Sequence, residues 1–362
     1  MVEKEYWVGF ANFPQIGPVR FGQLLSSFGS AELAWEAPQE DLKKAGLGNI
    51  VSKKFVEYRK GFDFRKYLEQ LRELKISFVT LEDEAYPGTL KQIEKPPFVL
   101  FCKGDTTLLN NNRRVAVVGT RMVTEYGREV TRQFTTSLAH SGITVVSGLA
   151  LGVDAIAHTT TIDNGGQTIA VLGCGIECCY PSSNTSLYRE IINKSGLIVS
   201  EYSLRMSPSK GSFPARNRII AGLSEAILVT EGGEDSGSII TAMEGLKNGK
   251  KVFAVPGPIT SRLSKGPFSL LSHGGILVTS SEEMIRELGI KNYELGDKKQ
   301  LAKGETKEEQ EVIDILSNES MNFDEIVRNL GKNSSEVGIL LSMMEMKGYL
   351  VCNSSGKYVL SA

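Results

Sequence analysis

The 362-residue chain has no segment of 18 uninterrupted apolar residues, so it offers no candidate membrane-spanning helix. Its first residues, Met1-Val2-Glu3-Lys4-Glu5, lack the apolar run of a secretion signal. Both absences lead to the expectation of a cytoplasmic protein with no membrane attachment. Charge of one sign is also missing: 41 Lys and Arg stand against 42 Asp and Glu, a formal net charge of −1. A nucleic-acid partner must therefore be held by a local basic patch, because the chain as a whole attracts no polyanion. Cysteine is sparse, with five in all. Cys174, Cys178 and Cys179 cluster without a histidine nearby in sequence, and adjacent cysteines make a poor chelating pair for tetrahedral zinc. Neither a disulfide frame nor a metal is expected. The three-glycine dinucleotide fingerprint and the lysine of a P-loop are missing too, and no cofactor is expected.

What is present is a globular composition, 41% hydrophobic and 23% charged, at a length that calls for two or three domains. Residues 1–62 read as a helical unit. Ile16-Gly17-Pro18-Val19-Arg20 leads into a stripe of Phe21, Leu24, Leu25 and Phe28 that stops at Gly29. Leu42 to Gly48 is a weaker second copy, and the pair resembles helix-hairpin-helix or SAM-like motifs. Residues 63–290 carry short apolar runs at 76–80, 115–118, 143–147, 167–172, 197–200, 226–230 and 251–255, alternating with helical stretches from 115 onward. Runs apolar on both faces and joined by helices predict an α/β domain, an extended Rossmann-like, doubly wound, mostly parallel sheet. Residues 291–306 read as a charged linker, and 307–362 have the helix and strand order of a winged helix.

Chemistry is expected in the loops at the strand ends. Gly119-Thr120-Arg121 follows the first run of the alternating region, where a glycine lets the backbone approach an anion. The run Phe213-Pro214-Ala215-Arg216-Asn217-Arg218 places two arginines where an apolar helix starts. Pro214 suits its first position, and the helix start attracts phosphate. Two residues apart, Arg216 and Arg218 cannot share a helix face, so they are expected to grip different phosphate oxygens. Ser236-Gly237-Ser238 caps the next helix with two hydroxyls and bare N–H groups. Lys210 would extend the cationic track, while Phe268 or Tyr180 would stack on a base. Glu231, Glu234 and Asp235 nearby argue against a simple phosphate cradle and would instead orient the arginines or face solvent. Asp154 and His158, at i and i+4, are expected to pair and brace their loop rather than act with Ser147 as a triad, since Gly-x-Ser-x-Gly is absent.

Taken together, Gly119-Thr120-Arg121, Ser147 to His158, Tyr180-Pro181, Ser200-Glu201-Tyr202, Phe213 to Leu223, Ser236 to Ala242 and Val255-Pro256-Gly257 resemble the DprA/Smf (DNA-processing protein A) family over roughly residues 80–280. The resemblance implies a single-stranded DNA-binding protein without catalytic residues. It also implies partnership with the recombinase RecA, protection of incoming DNA and RecA loading in natural transformation or recombination, and a homodimer. Two stretches depart from the family pattern: Tyr180-Pro181-Ser182 lacks a following basic residue, and Gly266-Pro267-Phe268 replaces Gly-x-Asn. The rival reading is a nucleotide phosphoribohydrolase-like enzyme on a related sheet. There the Pro-Gly-Gly-x-Gly-Thr-x-x-Glu turn carries a glutamate, whereas Thr241 stands at that place here. In the winged helix the third helix carries a second apolar stripe, Ile339, Met343 and Met346, which predicts a protein contact rather than a DNA-reading surface.

Overall fold

The computed structural model describes residues 2–111, 113–194, 196–289, 304–317, 320–352 and 356–360. The chain divides into two compact units, Met1–Lys291 and Asn292–Ala362. Most of the expected linker, residues 291–303, lies outside the described residues.

The first unit begins with helices α1 (Glu3–Ala11), α2 (Pro18–Phe28), α3 (Ala31–Glu36), α4 (Gln39–Leu42), α5 (Gly48–Gly61) and α6 (Phe64–Glu73). Helix α2 ends at Gly29, whose φ of 82° only glycine adopts readily. Aromatic packing ties this region to the sheet: Phe21 lies edge-on to Trp7 at 4.7 Å and stacks on Phe98 at 4.1 Å. One hydrophobic core therefore runs from Tyr6 to Leu204 and includes the inner faces of the helices and one face of the sheet.

The sheet has nine strands: β1 (Ser77–Thr80), β2 (Val99–Gly104), β3 (Arg114–Val118), β4 (Thr144–Ser147), β5 (Thr168–Val171), β6 (Leu197–Ser200), β7 (Ala226–Val229), β8 (Lys251–Ala254) and β9 (Ile276–Leu277). Their spatial order is β1-β2-β6-β5-β4-β3-β7-β8-β9. Strands β3 to β9 pair in parallel, while β1 and β2 run antiparallel at one edge. All residues of β3, β4, β5, β6 and β7 are buried, as expected for strands covered on both faces.

A short helix α7 (Gly88–Lys91) precedes β2. Helices α8 (Glu125–His140), α9 (Val153–Asp163) and α10 (Thr185–Asn193) link β3 through β6. Helices α11 (Ser212–Leu223), α12 (Gly237–Lys247), α13 (Lys265–Ser272) and α14 (Ser281–Glu287) follow β6, β7, β8 and β9. After β6 the chain returns to the far side of β3 to lay down β7. The strand order thus reverses between β3 and β7, which opens a crevice at their carboxyl ends.

The second unit contains α15 (Lys307–Leu316), β10 (Met321–Asn322), α16 (Phe323–Leu330), α17 (Ser334–Met346), β11 (Leu350–Cys352) and β12 (Lys357–Leu360), with strand order β10-β12-β11. Capping boxes at Thr306 and Asn322 start α15 and α16. Val312, Ile326, Val337, Leu341, Met344 and Leu350 form its own small core. Ile339, Met343 and Met346, the second stripe of α17, are exposed.

Candidate nucleic-acid interface

A pocket of 1240 Å³ opens at the carboxyl ends of the parallel strands, built from the loops that follow β3, β4, β5, β6, β7 and β8 and from the first turns of the helices beyond. Among the residues foreseen from sequence, Gly119, Arg121, Lys210, Phe213, Arg216, Asn217, Ser236, Gly237 and Ser238 line it. Arg218 and Phe268 do not.

Helix α11 starts at Ser212, two residues earlier than expected, which puts Pro214 at the third helical position. Its missing N–H is still harmless there, within the first turn. The two arginines do diverge, as positions two apart must, but both turn into the protein. Arg216 is only 5% exposed. Its Nη1 donates to the carbonyl of Gly148 at 2.7 Å and to that of Val171, and its Nε donates to Asn217 Oδ1 at 3.2 Å. Gly148 is required by this approach, because a Cβ there would stand 2.5 Å from the guanidinium. Burial pulls the Arg216 pKa below its ordinary value and the nearby Asp154 opposes that fall. Arg216 is thus a strut under the pocket floor rather than the freely reaching phosphate grip expected from sequence. Arg218 points to the other side of α11, where it donates to the carbonyl of Lys95 at 2.6 Å and pairs with the buried Glu201. It fixes α11 to the segment before β2 and stands away from the pocket.

Asn217 Nδ2 donates to the Gly237 carbonyl at 3.0 Å, which binds the start of α11 to the start of α12. Ser236 caps α12, accepting from the N–H of Ser238 at 3.3 Å, and the two hydroxyls lie 2.8 Å apart. Gly119 admits no side chain, since a Cβ would lie 2.7 Å from the Glu231 carbonyl. Glu231 is buried and accepts from the N–H and hydroxyl of Thr124 at 2.9 and 2.7 Å, so it orders the start of α8 and touches no arginine.

Asp154 and His158 do not pair. Asp154 accepts from the N–H groups of Gly148 and Ala150 at 3.1 and 3.4 Å. That bracing, with Asn184 donating to the carbonyl of Leu149 at 2.9 Å, holds Leu149 at a φ of 56°, a costly setting for a branched side chain. Burial raises the Asp154 pKa, opposed by Arg216 and those N–H groups. His158 Nδ1 bonds Thr168 Oγ1 at 2.7 Å, while burial, assisted by Arg216, pushes its pKa down to about 3. Ser147 Oγ donates to the Val117 carbonyl at 2.7 Å and is spent on structure.

The exposed part of the pocket has a different character. The Arg121 guanidinium lies 5.7 Å from the centre of the Phe213 ring, and Tyr180 flanks the same ring at 5.3 Å with a 39° tilt. Arg121 and Lys210 form no ion pair among the described residues. A cation with no carboxylate partner beside an open ring is the pair of features that holds phosphate and base together. Phe268, expected to stack, is half-buried on α13 outside this lining; the lining residues of that segment are Arg262, Leu263 and Lys265, two of them cations. Sequence reading stopped at the Gly266-Pro267-Phe268 departure and passed over those two cations, three apart, immediately before it. Among the described residues no group of three or more His, Cys, Asp or Glu could hold a metal ion, and all five cysteines are free thiols.

Fold and site together define a Rossmann-like α/β protein with an anion-receptive crevice at the reversal of strand order. Residues 77–289 match the family model of the DNA recombination-mediator protein A, and residues 296–354 match the DprA winged helix domain. The chain is 37% identical over 256 residues to the DNA processing protein DprA of Bacillus subtilis, covering 71% of this chain and 84% of that one. It is 36% identical over 291 residues to the Protein Smf of Synechocystis, covering 79% and 73%. The X-ray structure of DprA from Streptococcus pneumoniae superposes with a TM-score of 0.66 at 32% identity, covering 78% of this chain and 97% of that one. A DprA structure from Helicobacter pylori, described for its unique single-stranded DNA binding mode, superposes with a TM-score of 0.53 at 35% identity, covering 59% and 95%. The chain belongs to the DprA/Smf family. No helix among the described residues is long and apolar enough to cross a membrane.

Proposed function

We propose that this chain binds single-stranded DNA in the crevice between β3 and β7. The observation that carries the reading is the layered group of Arg121, Phe213 and Tyr180 beside Lys210: cations without carboxylate partners next to aromatic faces at the strand ends. Backbone phosphates meet Arg121 and Lys210, and an unpaired base stacks on the aromatic pair. A paired base cannot reach that pair without leaving its duplex. Arg216, Asn217 and Ser236 hold the crevice open. The related H. pylori protein, described as binding single-stranded DNA, supports the same reading.

Family membership extends the proposal to delivery of the strand to the RecA recombinase in transformation or recombination, to a homodimer, and to a cytoplasmic location. We also read the chain as a binding protein rather than a hydrolase. Thr241 is buried and hydrogen-bonds the Gly237 carbonyl at 3.3 Å, at the position where the phosphoribohydrolase pattern carries a glutamate. The test is fluorescence anisotropy with matched single- and double-stranded oligonucleotides. The single strand is expected to bind at least about tenfold more tightly, since each base–aromatic stack is worth roughly 1–3 kcal/mol. Equal binding of both would overturn the reading.

A further inference from the structure

The crevice has a second basic wall that the proposed site does not use. Arg262 and Lys265 line it from the loop after β8, whereas Arg121 lies on the loop after β3. Strand β7 runs between those two strands, and its own loop brings Glu234 and Asp235 to the pocket. The two basic loops are thus separated by an acidic one.

The second wall is rigidly built. The Gly232 N–H donates to the Leu263 carbonyl at 2.7 Å, and the Gly266 N–H donates to the Gly232 carbonyl at 2.9 Å, so both ends of the turn are clamped to the β7 loop. A Cβ on Gly266 would lie 2.4 Å from that same carbonyl, so the clamp depends on glycine. Ser261 caps the turn, accepting from the Leu263 N–H at 3.2 Å. On this frame Arg262 and Lys265 are exposed, and neither forms a hydrogen bond or ion pair with Glu234 or Asp235 in the same pocket. Instead the four groups stay open to the crevice, cations along one side and carboxylates in the middle.

We propose that Arg262 and Lys265 hold phosphates of the bound strand, so that the strand crosses the crevice from Arg121 and Lys210 to this second wall. Its phosphates are kept off the middle by Glu234 and Asp235. This inference rests on the single-strand reading above.

The test uses the full chain and a fluorescent oligothymidylate of about 20 nucleotides, titrated from roughly 50 to 300 mM NaCl. The double variant Arg262→Ala, Lys265→Ala should flatten the slope of log Kd against log salt by ~1.4, two contacts at about 0.7 each. The charge-keeping swap Arg262→Lys, Lys265→Arg should keep the wild-type slope. Arg128→Ala with Arg132→Ala, two exposed positions of α8 outside the pocket, removes the same charge and should leave the slope unchanged. Adding Glu234→Gln and Asp235→Asn to the alanine pair separates phosphate contact from mere neutralisation. A slope that stays flat supports contact, and a return to wild-type slope and affinity overturns it. A wild-type slope in the alanine pair, with wild-type protein binding the oligonucleotide, sinks this inference alone. If the wild-type protein fails to bind the oligonucleotide, the single-strand reading itself falls.

Discussion

The crevice and the winged helix are the two places where this chain was expected to meet other molecules, and they treat their cations in opposite ways. In the crevice Arg121, Lys210, Arg262 and Lys265 have no carboxylate within ion-pair distance among the described residues. In the winged helix, Lys332 stands between Glu308 and Glu311 at 3.8 and 3.7 Å, and Lys347 between Glu305 and Glu309 at 2.6 and 2.8 Å. Each lysine at the ends of α17 is thus already surrounded by negative charge. The face that α17 leaves open is apolar, with Met346 89% exposed. A phosphate that meets an already paired cation must first displace its carboxylate, so such a cation contributes less to strand binding than an unpaired one. Cation counts are similar in the two regions, so the difference lies in where the carboxylates sit.

The same distinction operates inside α11. Arg216 and Arg218 are the two cations that begin α11, yet both are committed to carbonyls or to Glu201, and the cations without a carboxylate partner come from neighbouring loops. The strongest way to break the comparison is to remove the strut. Arg216→Ala would leave the carbonyls of Gly148 and Val171 without their donor and Asp154 without its nearby cation. A loss of about 3 kcal/mol of stability is expected in urea unfolding. A variant as stable as wild type that binds DNA weakly would make Arg216 a direct contact after all.

A smaller effect concerns His158 beneath the same floor. Its folded pKa of about 3 lies below the ordinary 6.5, so between those values the unfolded chain binds one proton more than the folded one. The stabilisation is complete above pH 6.5 and is lost as pH falls, by about 1.4 kcal/mol per pH unit. His158→Gln should remove that slope between pH 6 and pH 5 in urea titrations, by comparison with wild type at the same pH. An unchanged slope would mean that the imidazole titrates normally.

The smallest effect is expected in the winged helix. Replacing Ile339, Met343 and Met346 together with serine should leave oligonucleotide affinity within about twofold, roughly 0.4 kcal/mol. A large loss in a folded variant would give α17 a role in the DNA site.

Much of this architecture was legible in the residues. Runs such as Val115 to Val118 and Leu197 to Val199 are apolar at every position because both faces of the sheet are covered, and each became part of a strand. Gly119 is expected to let the backbone approach an anion, whereas the space a Cβ would need is taken by Val153 and the Glu231 carbonyl. The reversed direction of β2, which pairs antiparallel with both β1 and β6, was not legible, since pattern alone fixes which faces are buried and not which neighbour a strand joins. Strand β9, two residues long, is too short for any period to show. The surroundings of the α11 arginines were not legible for a deeper reason. Helical spacing said that they diverge, but whether each meets water or a waiting carbonyl depends on Gly148 and Glu201, which the fold brings in from distant segments. Phe268 was chosen for its ring, while the direction in which α13 enters the pocket favours Lys265, three residues earlier.

The central claim is that cations without a carboxylate partner hold the phosphates, and that the arginine tied to Glu201 does not. The direct measurement is the salt dependence of oligonucleotide affinity in two variants: Arg121→Ala with Lys210→Ala, and Arg218→Ala. The first should flatten the log–log slope by ~1.4 and the second should leave it unchanged. A flattened slope in Arg218→Ala, with the wild-type slope retained in the Arg121 and Lys210 variant, would contradict the account.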